Sequence, residues 1–141
     1  DALAAAGVTG YAKTSGGRGL HVFVPLAPGH TFAQVRAWVR GVAAQLAADA
    51  PDRIAVAVRG THAGDRVTID HAQNSVARNT AAPYTVRARP GAPVSAPVSW
   101  DEVAAGALRP DHFTLRTMPA RVRQVGDLWA PAREAPQRLP R

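Results

Sequence analysis

The chain has 141 residues, a formal net charge of +7 and no cysteine. That length suits one domain with a real core, and the absence of cysteine excludes disulfides and thiolate metal sites and fits a reducing compartment. No apolar run reaches the ~18 residues a membrane span needs. "DALAAAGVTG" has neither an initiator Met nor a basic leader, so it reads as a helix end inside a domain.

Of the seventeen basic residues sixteen are arginine, and Lys13 is the single lysine. A basic surface points to polyanions: nucleic acid, nucleotides or acidic lipid. A GC-rich genome accounts for the Arg:Lys ratio, but not for where the arginines fall.

In chain order, residues 2–6 favour a helix with Gly7 as its cap. Residues 8–13 read as a short strand. Gly16, Gly17 and Gly19 make a loop, and "LHVFVPL" follows as a second strand, with Leu20, Val22 and Val24 on one face and His21 and Phe23 on the other. Phe32, Val35, Val39, Val42 and Leu46 recur at helical spacing after Thr31, which predicts a helix from Phe32 to Ala48. Trp38 is assigned to the core. Ile54, Val56 and Val58 alternate as in a strand, although so short a piece also suits a helix. "RGTHAGD" is a loop, Val67 and Ile69 mark a strand that ends at Asp70, and residues 71–83 look irregular.

"YTVRARPGAPVSAPVSW" is extended but interrupted by prolines, which cannot donate to a ladder, so it is placed at a sheet edge or across the surface. Ser99 and Glu102 have the spacing of a capping box and open a short helix. Trp100 and Trp129 are expected to anchor the C-terminal segment. Residues 131–141 are rich in Pro and Arg, which predicts disorder.

Three places carry possible chemistry. The glycine loop fits neither a Walker loop nor a dinucleotide fingerprint, because a strand and not a helix follows it. It is either a tight hairpin or an anion-binding loop, in which Ser15, Arg18 and His21 add side-chain contacts to backbone N–H groups. Asp70 ends a strand, where it either begins a solvated turn or offers a hard oxygen ligand to a divalent cation; "HAQN" adds polar side chains beside it. Arg87 and Arg89 are two apart in extended chain and so share a face. They form a solvated surface or a pair that grips a triphosphate. His30, His62, His71 and His112 show no metal-ligand spacing.

Taken together, "KTSGGRGLHVFVPL", "VTIDHAQN" and "APYTVRARPGAPVSAPVSWDEV", followed by "FTLRTMPARV" and "GDLW", resemble the polymerase domain of bacterial DNA ligase D, in the archaeo-eukaryotic primase superfamily. The resemblance runs from about Tyr11 to Trp129. It implies an α/β (α+β) fold, with a mixed, mostly antiparallel sheet and packed helices: the C-terminal part of a primase-polymerase core. Residues 1–130 then form a partial domain and 131–141 a tail.

By resemblance, Ser15, Arg18, His21, Gln73, Arg87 and Arg89 bind the nucleotide, and Asp70 is the catalytic third-motif aspartate that helps hold metal. The implied function is primer-extending, gap-filling nucleotidyl transfer in non-homologous end joining. Magnesium or manganese serves as cofactor, and nucleoside triphosphates and DNA ends or gapped duplex are bound. Ligase and nuclease domains and an end-binding protein are its implied partners, in the cytoplasm at the nucleoid.

Two features depart from the family pattern. The family's Asp-x-Asp, source of two of three metal carboxylates, occurs nowhere in this chain, and of the basic run before the third-motif strand only Arg59 and Arg66 remain. The chain is therefore expected to be inactive alone, as a fragment, a truncated product or a degenerate copy. A non-catalytic nucleotide- or DNA-end-binding module is the first alternative; a basic structural domain is the second.

Overall fold

The computed structural model describes residues 1–57 and 64–140. Along the chain run α1 (Ala2–Ala5), β1 (Tyr11–Thr14), β2 (Leu20–Phe23), α2 (Phe32–Asp49), β3 (Ile54–Val56), β4 (Val67–Ile69), a 3-10 turn (His71–Gln73), β5 (Pro97–Val98), α3 (Trp100–Ala104), α4 (Met118–Val125) and α5 (Ala130–Glu134). The contacts group the chain into two compact units.

The first unit comprises Asp1–Gly7, Leu26–Thr80 and the chain from Leu139. Its main element is α2, and the Thr31 capping box explains where that helix starts. The Thr31 hydroxyl accepts from Gln34 N at 3.2 Å, while the Gln34 side chain accepts from Thr31 N at 2.8 Å. Val35, Val39, Val42 and Leu46 are half-buried and Ala43 is buried, and α2 packs against β3 and the 3-10 turn. Phe32 remains 58% exposed, and Trp38 is half-buried instead of belonging to a core. Ile54 begins a strand, not a helix. β3 and β4 pair in parallel, with Ile54 opposite Val67 and Val56 opposite Ile69. Val58, Arg59 and His62, with most of "RGTHAGD", lie outside the described residues.

The second unit comprises Val8–Pro25 and Ala81–Arg138. It holds an antiparallel sheet in the order β2-β1-β5. Its core is Ala12, Val94, Ala96, Val98, Phe113 and Met118. The proline-rich segment was expected at a sheet edge or across the surface; it does supply an edge strand, β5, but it is not a surface crossing, since residues 93–98 are all buried. Its N–H groups are paired one by one. Val94 N donates to Phe113 O at 2.7 Å, Ser95 N to Thr85 O at 2.9 Å and Ala96 N to the Thr14 hydroxyl at 3.0 Å. Pro93 and Pro97 fall where they accept bonds without needing to donate any, and β5 is an edge strand, as a proline requires.

The tail also differs from expectation. Residues 130–134 form α5, with Ala132 buried. Gln137 then exchanges two bonds with Thr9, accepting from Thr9 N at 2.6 Å and donating to Thr9 O at 2.9 Å. Composition measures hydrophobic content, whereas this segment is held by polar pairing to chain 128 residues away. Trp129 does anchor it, edge-on to Phe23 at 5.3 Å and to Tyr11 at 6.3 Å. Trp100 donates from Nε1 to Gly10 O at 2.8 Å.

Candidate functional site

The glycine stretch turns the chain from β1 into β2, with Lys13 opposite His21 and Thr14 opposite Leu20. Ser15 organises the turn. Its Oγ accepts from Gly17 N and from Gly19 N, both at 3.0 Å, and its own N donates to Gly19 O at 2.9 Å. Gly16 N donates to Pro110 O at 2.9 Å. The three glycine amides are thus engaged within the protein, and an open cradle of backbone donors does not form. A hydroxyl that accepts twice still has its one proton to give, so Ser15 keeps a donor.

Gly16 is required by space and by backbone. Its φ is +63°, and a Cβ there would stand 2.7 Å from Arg87 Cγ and 3.3 Å from the Val94 carbonyl carbon. The missing side chain lets Arg87 cross the loop, where its Nη1 donates to Ser15 O at 3.4 Å. Arg89 also lies beside the loop, its Cζ 3.6 Å from where a Cβ on Gly17 would stand, an ordinary contact distance. The two arginines come from the stretch around the Val86–Val94 bridge. Arg87 N donates to Pro93 O, and Ala92 N to Arg89 O, which closes a tight turn. The pair expected to share a face does converge, and the surface it meets is the glycine loop. Arg87 is half-buried; Arg89 and Arg18 are exposed.

His21 is half-buried on the face of β2 that it shares with Phe23, while Leu20 and Val22 point outward, 38% and 47% exposed. Its Nδ1 lies 2.9 Å from Lys13 Nζ. Lys13 is fully buried and also donates to Ser95 Oγ at 2.5 Å. Burial first, and then the Arg87 charge, push the Lys13 ammonium down to about 8. His21 is held below its usual value by burial, then by the charges of Lys13 and Arg87. Lys13 and Ser95 carry no site signal in the sequence beyond Lys13 being a lone lysine among arginines.

Asp70 and Gln73 belong to the other unit. Asp70 is exposed and caps the 3-10 turn, its Oδ1 accepting from Ala72 N at 2.9 Å. Gln73 is exposed within that turn. Among the described residues, no three His, Cys, Asp or Glu side chains stand together as a metal would need. The donor set on this chain therefore does not fit a metal by itself.

Helices packed with a three-stranded antiparallel sheet in one unit and a two-stranded parallel sheet in the other, rather than one mixed sheet, and a cation cluster folded onto a glycine hairpin, define an α+β protein of the polymerase-domain type. The sequence pattern of the LigD primase-polymerase domain matches residues 1–129, and the chain belongs to that family. It is 33% identical to the multifunctional non-homologous end joining protein LigD of Pseudomonas aeruginosa, over 94% of this chain and 16% of that protein. The corresponding protein of Mycolicibacterium smegmatis is 36% identical, over 86% of this chain and 16% of its own length. Among solved structures, the polymerase domain of Mycobacterium tuberculosis ligase D in complex with DNA superposes with a TM-score of 0.85 at 30% identity, covering 95% of this chain and 46% of that one. The chain thus spans about a sixth of these LigD proteins and less than half of the solved domain.

Proposed function

We propose that this chain supplies the triphosphate-gripping part of a DNA-repair nucleotidyltransferase, a polymerase that fills gaps during non-homologous end joining. One observation carries the reading: Arg87 and Arg89 reach the Ser15–Gly17 turn beside the Lys13–His21 pair. Two arginines about one turn, with the Ser15 hydroxyl and the His21 ring beside them, suit a polyanion of nucleotide size. Arg18 extends the positive charge outward from the loop tip, and Gln73 is assigned to the nucleotide by its place in the family motif. Gapped duplex or DNA ends are the proposed second substrate, at the nucleoid. Among the described residues no helix is long and apolar enough to cross a membrane.

In this reading Asp70, by its place in the motif that resembles the family's third, would offer one carboxylate to magnesium or manganese. This chain's own contribution is electrostatic: it orients the triphosphate and offsets its charge. A second reading, a non-catalytic module that binds nucleotides or DNA ends, is favoured by the lack, among the described residues, of three metal-ligating side chains standing together.

Calorimetry of the 141-residue chain with ATP tests the grip. Charge-assisted bonds to phosphate each contribute about 1.5–3 kcal/mol, so the expected Kd lies near ~1 mM after association costs. Arg87→Ala together with Arg89→Ala should weaken binding by roughly tenfold or more. Asp70→Ala should leave it nearly unchanged, with or without manganese. Equal affinity for the double arginine variant, folded by circular dichroism, would remove both residues from the site.

A further inference from the structure

We infer that Lys13 and Ser95 are positioning residues, which fix His21 as a neutral imidazole offering its Nε2–H to a bound anion. The inference rests on the reading of His21 as a triphosphate contact and specifies the chemical form in which it acts.

The argument follows the protons. An ammonium has three N–H donors and accepts nothing. The Lys13 ammonium is fully buried, with three neighbours in reach: Ser95 Oγ at 2.5 Å, His21 Nδ1 at 2.9 Å and the Phe23 ring, 5.4 Å to its centroid. One donor goes to each, the third as a cation–π contact. Nothing remains for a phosphate, so Lys13 is not itself an anion contact.

Ser95 sets the direction of the chain of bonds. It is fully buried, and its hydroxyl donates to Thr14 O at 2.8 Å. Its Oγ is then the acceptor towards Lys13. The same ammonium donates to Nδ1 of His21, so that nitrogen bears no proton and a neutral ring carries its proton on Nε2.

A second proton on Nδ1 would face the ammonium head-on. The charged groups that act on His21 are Lys13 and Arg87, both cationic, and the ring also sits edge-on to Phe23 at 6.3 Å. Charge and burial therefore both oppose an imidazolium. His21 gives the anion a directed hydrogen bond, and the positive charge comes from the arginines. Triphosphate affinity should then not fall as pH rises through about 6–7, the interval over which an ordinary imidazolium would lose its charge while the terminal phosphate gains one.

The test is long-range 1H–15N correlation spectroscopy of the histidine rings in the 15N-labelled chain, titrated with acid. His21 should show a bare Nδ1 and a protonated Nε2 at neutral pH, with a midpoint below the ordinary histidine value. In Lys13→Met the midpoint should move up and the single tautomer should give way to a mixture. A proton on Nδ1 in the parent chain would overturn the inference, and so would an unmoved midpoint in a folded Lys13→Met. If that variant does not fold, the parent ring alone decides. ATP added to the same sample separates the two readings. A bare Nδ1 whose neighbouring Nε2–H resonance ignores ATP would overturn the triphosphate role of His21 and leave the part played by Lys13 intact.

Discussion

Lys13 shows what one residue can hide. In "YAKT" a lysine between small residues reads as an outward-facing side chain, yet residues 12–14 are all buried. Its burial depends on Ser95, 82 positions away, which no local pattern links to it. The glycines, His21 and the two arginines were legible, because spacing alone places them at one hairpin or on one face. What was not legible is that the glycine amides are used internally, so that the loop admits side chains instead of cradling an anion. Burial of the lysine also has a measurable consequence. Its ammonium loses its proton at about 8 in the folded protein, against 10.5 for a free lysine. Between those values the unfolded chain binds the extra proton, so stability rises with pH across that window. The full shift corresponds to on the order of 3 kcal/mol. Urea melts at about pH 7.5 and about pH 9.5 should show the rise in the parent and not in Lys13→Met. A parent whose rise matches that of the variant would mean that the lysine is not buried as a cation.

At the scale of elements, the sequence located helices and strands better than it located their partners. The capping residues of α2 and α3 were both visible, and α2 ends one residue beyond its expected limit. α4 went unseen, although Pro119 at its start is a first-turn signal. That helix places Arg121 against α3. Arg121 donates from Nη1 and Nη2 to the Glu102 carboxylate at 2.7 Å each and to Pro97 O at 3.2 Å, and it stacks 4.2 Å over Phe113. The Arg121 bonds hold the Glu102 carboxyl below its usual range. Glu102 thus closes the Ser99 capping box and also pairs with a guanidinium whose side chain is only 11% exposed. The two halves of the pair should not be equivalent. Glu102→Ala leaves a nearly buried cation unpaired and should cost about 3 kcal/mol. Arg121→Met keeps the packing on Phe113 and leaves a carboxylate that still reaches water, so about 1.5 kcal/mol is expected. Denaturant melts of both variants and of the double variant measure the difference; equal losses would show that leaving the guanidinium unpaired costs no more than leaving the carboxylate unpaired.

For the whole molecule, charge is the property that the sequence states most directly and the fold redistributes. The net charge of +7 was available at once, as was the alternation that marks strands; the division into two units, each with its own sheet, was not, since it depends on which distant segments pack together. Base composition explains why the cations are arginines. It does not explain why Arg87 is drawn inward at the hairpin while Arg18 and Arg89 remain exposed beside it. Exposed arginines can each neutralise one phosphate and release its counterion, which makes the affinity for duplex DNA fall with salt by about 0.9 in the logarithm per contact. If four such contacts form, raising salt from roughly 50 to 200 mM should weaken binding to a gapped duplex by about 100-fold. Arg18→Ala and Arg89→Ala should each reduce the slope by about one unit. Lys13→Met should leave it unchanged, because that cation is fully buried and its donors are engaged within the protein. Fluorescence anisotropy with a labelled gapped duplex at several salt concentrations reads all three slopes. A slope that Lys13→Met lowers as much as Arg89→Ala does would mean that the buried lysine reaches the phosphates after all, and a flat response in the parent would mean that the arginines of this hairpin face something other than DNA.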